Sequence, residues 1–291
     1  MHVVRTPGIS DYFSLVKINH TIFSLPFALI GFFLAVKTHE QNLNLRMLLL
    51  VVLCILFARN AAMGFNRYAD RDIDIKNPRT ASREIPSKVI SPGAALAFVI
   101  INACLFIGTS YLLNFLCFLL SPVALIVVLG YSLTKRFTYL SHVFLGLGLS
   151  LAPIGAYLAV TARFDLLPLV YSFVVIFWVA GFDILYAMQD IDFDRSESLK
   201  SLPARLGRVN ALILSAVFHV CAIILVIAGG FIGGFHLLYW IGAAIFAILL
   251  CYEHVIIKPT DISRVNLAFA TMNGMASVIF AGFVIADLFF S

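Results

Sequence analysis

Nine apolar runs, each near the length of one membrane crossing, follow one another at approximately 19–36, 47–66, 93–112, 114–134, 140–161, 166–189, 209–230, 233–252 and 265–289. A hydrocarbon core about 30 Å thick takes about 20 helical residues to span, and backbone polar groups inside it must be paired within the segment. The pattern therefore predicts an all-α polytopic membrane protein, about nine transmembrane helices in one integral domain over 1–291. Only 12% of residues are charged, against about 25% in globular chains, and no polar stretch is long enough for a soluble domain. The first run is short and contains Pro26. Lys37 follows it in place of a small-residue cleavage pattern, so it reads as a retained helix.

Lysine and arginine placement sets the expected orientation. With nine crossings, all of the 20 basic residues except Lys37, Arg46 and Arg163 fall on one face together with the N-terminus. That face is predicted to be cytoplasmic. The net charge of +5 follows from this bias and gives no reason to expect nucleic acid. Cys54, Cys104, Cys117, Cys221 and Cys251 all lie within apolar runs with no Cys-x-x-Cys spacing, so buried free thiols are expected.

The acidic residues are concentrated. Of 15, nine lie in 70–84 and 183–197, at the ends of apolar runs on the same predicted face. A carboxylate at a membrane helix centre costs roughly 2.5–3.5 kcal/mol, and those found near lipid usually serve chemistry or transport. Asn66, Asp70 and Asp74 are spaced i, i+4, i+8, which keeps them on one helix face. Asp183, Tyr186, Asp190 and Asp194 are spaced i, i+3, i+7, i+11, again one stripe if the helix persists. Asp72 and Asp192 fall on the opposite sides. Mg²⁺ prefers oxygen ligands and is commonly shared between one or two carboxylates and substrate phosphates. Two such rows facing one cavity suggest Mg²⁺ ions holding a diphosphate.

Cations suited to phosphate surround the rows. Lys17 opens the first apolar run, and Lys135 and Arg136 end the fourth. Arg67, Arg71, Arg79 and Arg83 lie at the first row and its loop, Lys200 and Arg205 after the second. Of these, Lys17 and Lys135 sit closest to apolar helix and are favoured as ligands. Aromatic faces can stabilise a cation, and Tyr131 and Tyr186 are the favoured pair. Asn273 and His142 are polar groups within apolar runs, for which interhelical hydrogen bonding is expected. An apolar helix ending in an acidic row, followed by a polar loop, occurs twice. This divides the domain into pseudo-repeat halves of about 11–134 and 138–289 with a site between them.

The rows resemble the signature of UbiA-type intramembrane aromatic prenyltransferases. The family's second motif, Asp-x-x-Tyr-x-x-x-Asp-x-x-x-Asp, is matched in full by Asp183, Tyr186, Asp190 and Asp194. Its first, Asn-Asp-x-x-Asp-x-x-x-Asp, is matched at Asn66, Asp70 and Asp74, with Arg67 replacing the acid that often follows the Asn. Asp72 is the candidate to compensate. Segments 17–27, 77–86, 131–136 and 200–207 resemble the family too. The likeness runs from about residue 11 to 285.

The resemblance implies a helical bundle around a central cavity open to lipid, in a bacterial inner or plasma membrane. It implies Mg²⁺ on Asn66, Asp70, Asp74, Asp183, Asp190 and Asp194, with Asp70, Asp74, Asp190 and Asp194 catalytic. Lys17, Arg83, Lys135 and Lys200 would bind diphosphate, and Tyr131 and Tyr186 would stabilise a carbocation. The implied reaction moves a polyprenyl chain from its diphosphate to 4-hydroxybenzoate or a related dihydroxynaphthoate in quinone biosynthesis, with no obligate protein partner. Two other readings use intramembrane acids. A transporter accounts for one row but not for two matched rows with phosphate-type cations. CDP-alcohol phosphotransferases carry both rows in one short segment with glycines, whereas these rows are far apart.

Overall fold

Polar caps and prolines cut the apolar sequence into helices. The computed structural model describes residues 7–40 and 42–290. In chain order, α1 is Ile9–Leu15, α2 Leu25–Thr38, α3 Leu45–Asp74, α4 Pro92–Leu113, α5 Phe115–Thr134 and α6 Ser141–Thr161. Next come α7 Leu166–Ala187, α8 Ile191–Ser196, α9 Leu202–Ile232, α10 Leu237–Ile256, α11 Val265–Leu267 and α12 Asn273–Phe290. The side-chain oxygens of Asn44, Ser91, Asn114, Asp165 and Ser201 accept backbone N–H groups that begin α3, α4, α5, α7 and α9. Each satisfies a donor that has no partner within the helix. Pro26, Pro92 and Pro203 sit in first turns, where the missing N–H is harmless.

Among the described residues, eight helices are long and apolar enough to cross a membrane. The chain is an all-α integral membrane protein. The expected first span differs from the rest. Run 19–36 is divided at Ser24 into a 3₁₀ turn, Ile18–Phe23, and the 14-residue α2. Pro26 is tolerated in the first turn of a helix but not deeper, so α2 begins at Leu25.

Helix α7 is the centre of the bundle, with 67% of its apolar window buried against 17% for α5. It packs on α6 and α9, and α2 packs on α6. Two contacts demand glycine: a Cβ on Gly31 would lie 2.0 Å from the Pro153 carbonyl oxygen, and one on Gly146 2.5 Å from that of Ile176. Small residues let membrane helices approach this closely. Behind them Phe27, Tyr171, Trp178, Tyr239, Phe246 and Phe280 form an aromatic core.

The five cysteines are free, but only Cys54 is buried. Cys104 and Cys251 are exposed on the outer surface of their spans. An apolar run in a membrane helix marks burial in protein or contact with lipid, and hydropathy does not separate the two.

Candidate active site

Helix α3 is unbroken to Asp74, so Asn66, Asp70 and Asp74 form the stripe their spacing requires. All three line a cavity of about 1040 Å³. Asp70 is 2% exposed. Its Oδ2 accepts from Lys135 Nζ at 2.6 Å and from Asn66 Nδ2 at 3.2 Å. Its Oδ1 is buried without a hydrogen-bond partner, 3.9 Å from the Arg136 guanidinium. Both oxygens of Asp74 accept from Arg83 Nη1, at 2.8 and 2.9 Å.

The second row is interrupted. Helix α7 ends at Ala187, Met188–Asp190 form a 3₁₀ turn, and α8 resumes at Ile191. The single expected stripe therefore becomes three local environments, although Asp183, Tyr186, Asp190 and Asp194 all line the same cavity. Asp183, within α7, meets His142 Nδ1 at 2.6 Å. Asp190 accepts from Asn77 Nδ2 at 3.2 Å and from Arg79 Nε and Nη2 at 3.0 and 2.5 Å. Asp194 accepts from Ser201 Oγ at 2.6 Å.

The loop after the first row thus crosses to the second. Lys76 Nζ adds an ion pair with Glu197 at 2.6 Å. Arg79 Nη1 also donates to the Tyr186 hydroxyl at 3.1 Å, and its guanidinium stands 5.4 Å from the Tyr186 ring centre. Burial alone would lower the Arg79 pKa, but the hydrogen bond and the charge of Asp190 hold it above its ordinary value. Both rows lie at one end of the bundle, around one cavity.

Of the expected cations, Lys17, Arg83 and Lys135 line this cavity, as does Tyr131. Lys17 adopts a left-handed backbone conformation with φ 47°. Lys200 is placed elsewhere: its Nζ donates to the Phe137 carbonyl at 3.0 Å, and it does not line the cavity. Asp72 also lies outside, its side chain 81% exposed and 3.6 Å from Arg71. It supplies no oxygen to compensate for Arg67. That arginine is 5% exposed and donates to the Leu15 carbonyl at 3.4 Å.

Three cavity residues escaped the sequence reading as site residues. Arg59 is one of the basic residues of the predicted cytoplasmic face and is not singled out by the motifs. It lies seven residues before Asn66, two helical turns on the same face, so the stripe arithmetic carried to it. Its Nη2 donates to the Lys17 carbonyl at 2.6 Å, and its Nη1 is buried without a hydrogen-bond partner. His142 makes the expected interhelical bond, but to Asp183 of the second row. Arg79 comes from an irregular loop and has no periodic signal.

The rest of the cavity is apolar and long. It is lined along α3 from Asp74 to Val51, ~35 Å at 1.5 Å per residue. Val123 and Phe164 line it and are 56% and 59% exposed, so it reaches the lipid-facing surface. A polar, cation-rich end joined to an apolar groove about as long as a bilayer core is thick fits a substrate with an anionic head and a hydrocarbon tail.

Comparison with known proteins agrees with this geometry. Residues 24–277 match the model of the UbiA prenyltransferase family. A 4-hydroxybenzoate octaprenyltransferase of Shewanella sp. (strain W3-18-1) is 30% identical over 239 residues, covering 82% of this chain and 83% of the relative. One from Paraburkholderia phymatum is 31% identical over 239 residues, with the same shares. The apo structure of a UbiA homolog from Aeropyrum pernix K1 superposes with a TM-score of 0.83 at 34% identity, covering 93% of this chain and 98% of that one. A UbiA homolog from Archaeoglobus fulgidus bound to GPP and Mg²⁺ shares the fold, with a TM-score of 0.69 at 21% identity over 96% and 99% of the two chains. The chain belongs to the UbiA prenyltransferase family and is a prenyltransferase embedded in the membrane.

Proposed function

We propose that this prenyltransferase moves a polyprenyl chain from polyprenyl diphosphate to an aromatic acid, 4-hydroxybenzoate or a related dihydroxynaphthoate, with its acidic rows at the cytoplasmic face. The observation that carries the reading is the convergence of both carboxylate rows and their cations on the polar end of one long apolar cavity. The relatives named as 4-hydroxybenzoate octaprenyltransferases support the choice of acceptor. The placement of all but three lysines and arginines on one face supports the orientation.

The residues fit Mg²⁺. The available donors are hard oxygens, and Asp70 presents one buried carboxylate oxygen with no hydrogen bond. Among the described residues, no three acidic, histidine or cysteine side chains form a cage. An ion shared between one or two carboxylates and a diphosphate needs none. Asn66, Asp70, Asp74, Asp183, Asp190 and Asp194 would hold it, with one oxygen of Asp183 turned to His142. Bound there, Mg²⁺ would neutralise charge on the diphosphate as it leaves.

The chain's own residues do the rest. Lys135, Arg83 and Arg79 rest on Asp70, Asp74 and Asp190, within reach of the space a diphosphate would fill. Preorganised cations of this kind stabilise charge that builds up on a leaving group. Lys17 adds a further positive charge at the cavity wall. The unpartnered Nη1 of Arg59 is suited to the carboxylate of the aromatic acid, because a buried N–H donor without a partner is costly to leave. A carboxylate held there would place the ring between Arg59 and the acidic rows. Tyr131 and Tyr186 line the cavity, where their rings would stabilise the cation that forms.

The test is direct. Purified protein in detergent is incubated with Mg²⁺, polyprenyl diphosphates of several lengths and candidate aromatic acids, and products are identified by mass spectrometry. A prenylated aromatic acid, with diphosphate released in equal amount, is expected. An Arg59→Met variant should need about tenfold to a hundredfold more acid for half-maximal rate, as expected for a lost charged hydrogen bond. Absence of any prenylated acid would sink the reading.

A further inference from the structure

The last membrane span is not α-helical throughout. The single turn α11 leads into a π-helix at Ala268–Met272, and α12 continues from Asn273. A π turn is rare, occurs mostly as a single turn within an α-helix and is frequent at functional sites. Here the brace is visible. Asn273 is 0% exposed, and its Nδ2 donates to the Ala268 carbonyl across the turn at 3.1 Å. Its Oδ1 accepts from Trp178 Nε1 on α7 at 2.6 Å, and Trp178 is itself fully buried. A polar bond across two membrane helices has no competing water and fixes their register.

The turn displays Phe269 to the cavity. Its ring lies 4.3 Å from that of Tyr186, tilted by 34°, and 5.4 and 5.2 Å from those of Phe182 and Phe23. Phe23, Phe182 and Tyr186 line the same cavity, and Tyr186 carries Arg79, the cation on Asp190. Phe269 therefore completes an aromatic wall beside one of the cations proposed to receive diphosphate. It came from no motif and from the far end of the chain.

We propose that Phe269 walls the reaction chamber, facing the allyl cation and keeping water from it, and that Asn273 and Trp178 are positioning residues that hold it there through the π turn. The inference rests on the proposed aromatic prenyl transfer. In that reaction the C–O bond to diphosphate breaks and the electron pair leaves with diphosphate. The allyl carbon then takes a pair from a ring carbon, which loses its proton, or from water, which also loses a proton and leaves a prenyl alcohol. An aromatic face stabilises the cation, and a packed wall excludes the competing water.

The readout is the ratio of prenyl alcohol to prenylated acid. A residue that only supports folding lowers the amount of active protein without moving this ratio. In Phe269→Leu the ratio should rise about tenfold, because water gains access to the cation once the packed wall is opened, with the KM for the donor unchanged. Phe269→Tyr should restore it. Asn273→Leu and Trp178→Phe should raise it in the same direction. Trp178→Phe keeps an aromatic ring while losing the N–H and part of the indole, so it tests the brace if Asn273→Leu does not fold. Wild-type transfer with an unchanged ratio in Phe269→Leu would overturn the inference alone. A raised ratio in Phe269→Leu with none in Trp178→Phe would overturn the positioning role. No prenylated acid from the wild type would overturn the underlying reading, and this one with it.

Discussion

The two acidic rows line one cavity from different supports. The first stands on an unbroken helix, and its Asp70 and Asp74 are 2% and 4% exposed. Its cations come from the end of α5 and from its own loop. The second row spans α7, a 3₁₀ turn and α8, and its Asp190 side chain is 17% exposed. Its main cation, Arg79, arrives from the loop of the first row. The first row is thus held by the bundle, whereas the second is completed by a strap from the other half. Placement on one helix and completion by a crossing loop are different ways to build one end of a cavity.

The largest effect should come from the acids themselves. Asp70→Asn and Asp190→Asn in purified protein should each lower kcat/KM for transfer by about a thousandfold, the scale of losing one preorganised electrostatic group. Product formation measured by mass spectrometry checks this. Near-normal turnover in one variant and not the other would show that the rows are unequal partners.

The cations separate the rows more finely. Lys135→Met leaves the buried Asp70 carboxylate without its ammonium, which should cost about 3 kcal/mol of stability as well as activity. Arg79→Met breaks a pair whose side chains are 33% and 17% exposed. It should cost about 1 kcal/mol or less of stability, while raising the KM for the donor diphosphate. Thermal unfolding in detergent, read beside steady-state kinetics, tests both. Equal loss of stability would erase the distinction between a row held by the bundle and one completed by a strap.

The smallest effect belongs to the strap's outer pair. Lys76 and Glu197 have side chains 57% and 28% exposed. Removing Lys76 should change stability by less than about 1 kcal/mol, with rates close to wild type. A large rate loss in Lys76→Met would mean that the strap's position, and not Arg79 alone, controls the second row.

Much of the site was legible because helical spacing survives where a helix survives. Asn66, Asp70 and Asp74 follow from their numbers, and Arg59 from the same arithmetic extended by two turns. The second row was legible as a set of residues but not as one stripe, because the 3₁₀ turn at Met188–Asp190 resets the angular relation among them. Lys200 has the composition of a phosphate ligand, yet its chain path gives its ammonium to the Phe137 carbonyl. Arg79 was legible only as one of several loop cations, and Phe269 not at all. One sits in an irregular loop and the other in a π turn, where no period links sequence number to direction.

The sequence by itself determined the solvent of this protein and the chemistry of its polar end. A chain this apolar can pair its backbone in lipid only as helices, and carboxylates retained at helix ends must be offset by cations. Only the tertiary structure decided which helix ends meet, which apolar faces line the cavity and which touch lipid, and which side chains cross from one row to the other. Those outcomes depend on close approaches such as Gly31 to Pro153 and on bonds such as Trp178 to Asn273. They are contacts between residues distant in sequence, and local spacing carries no record of them.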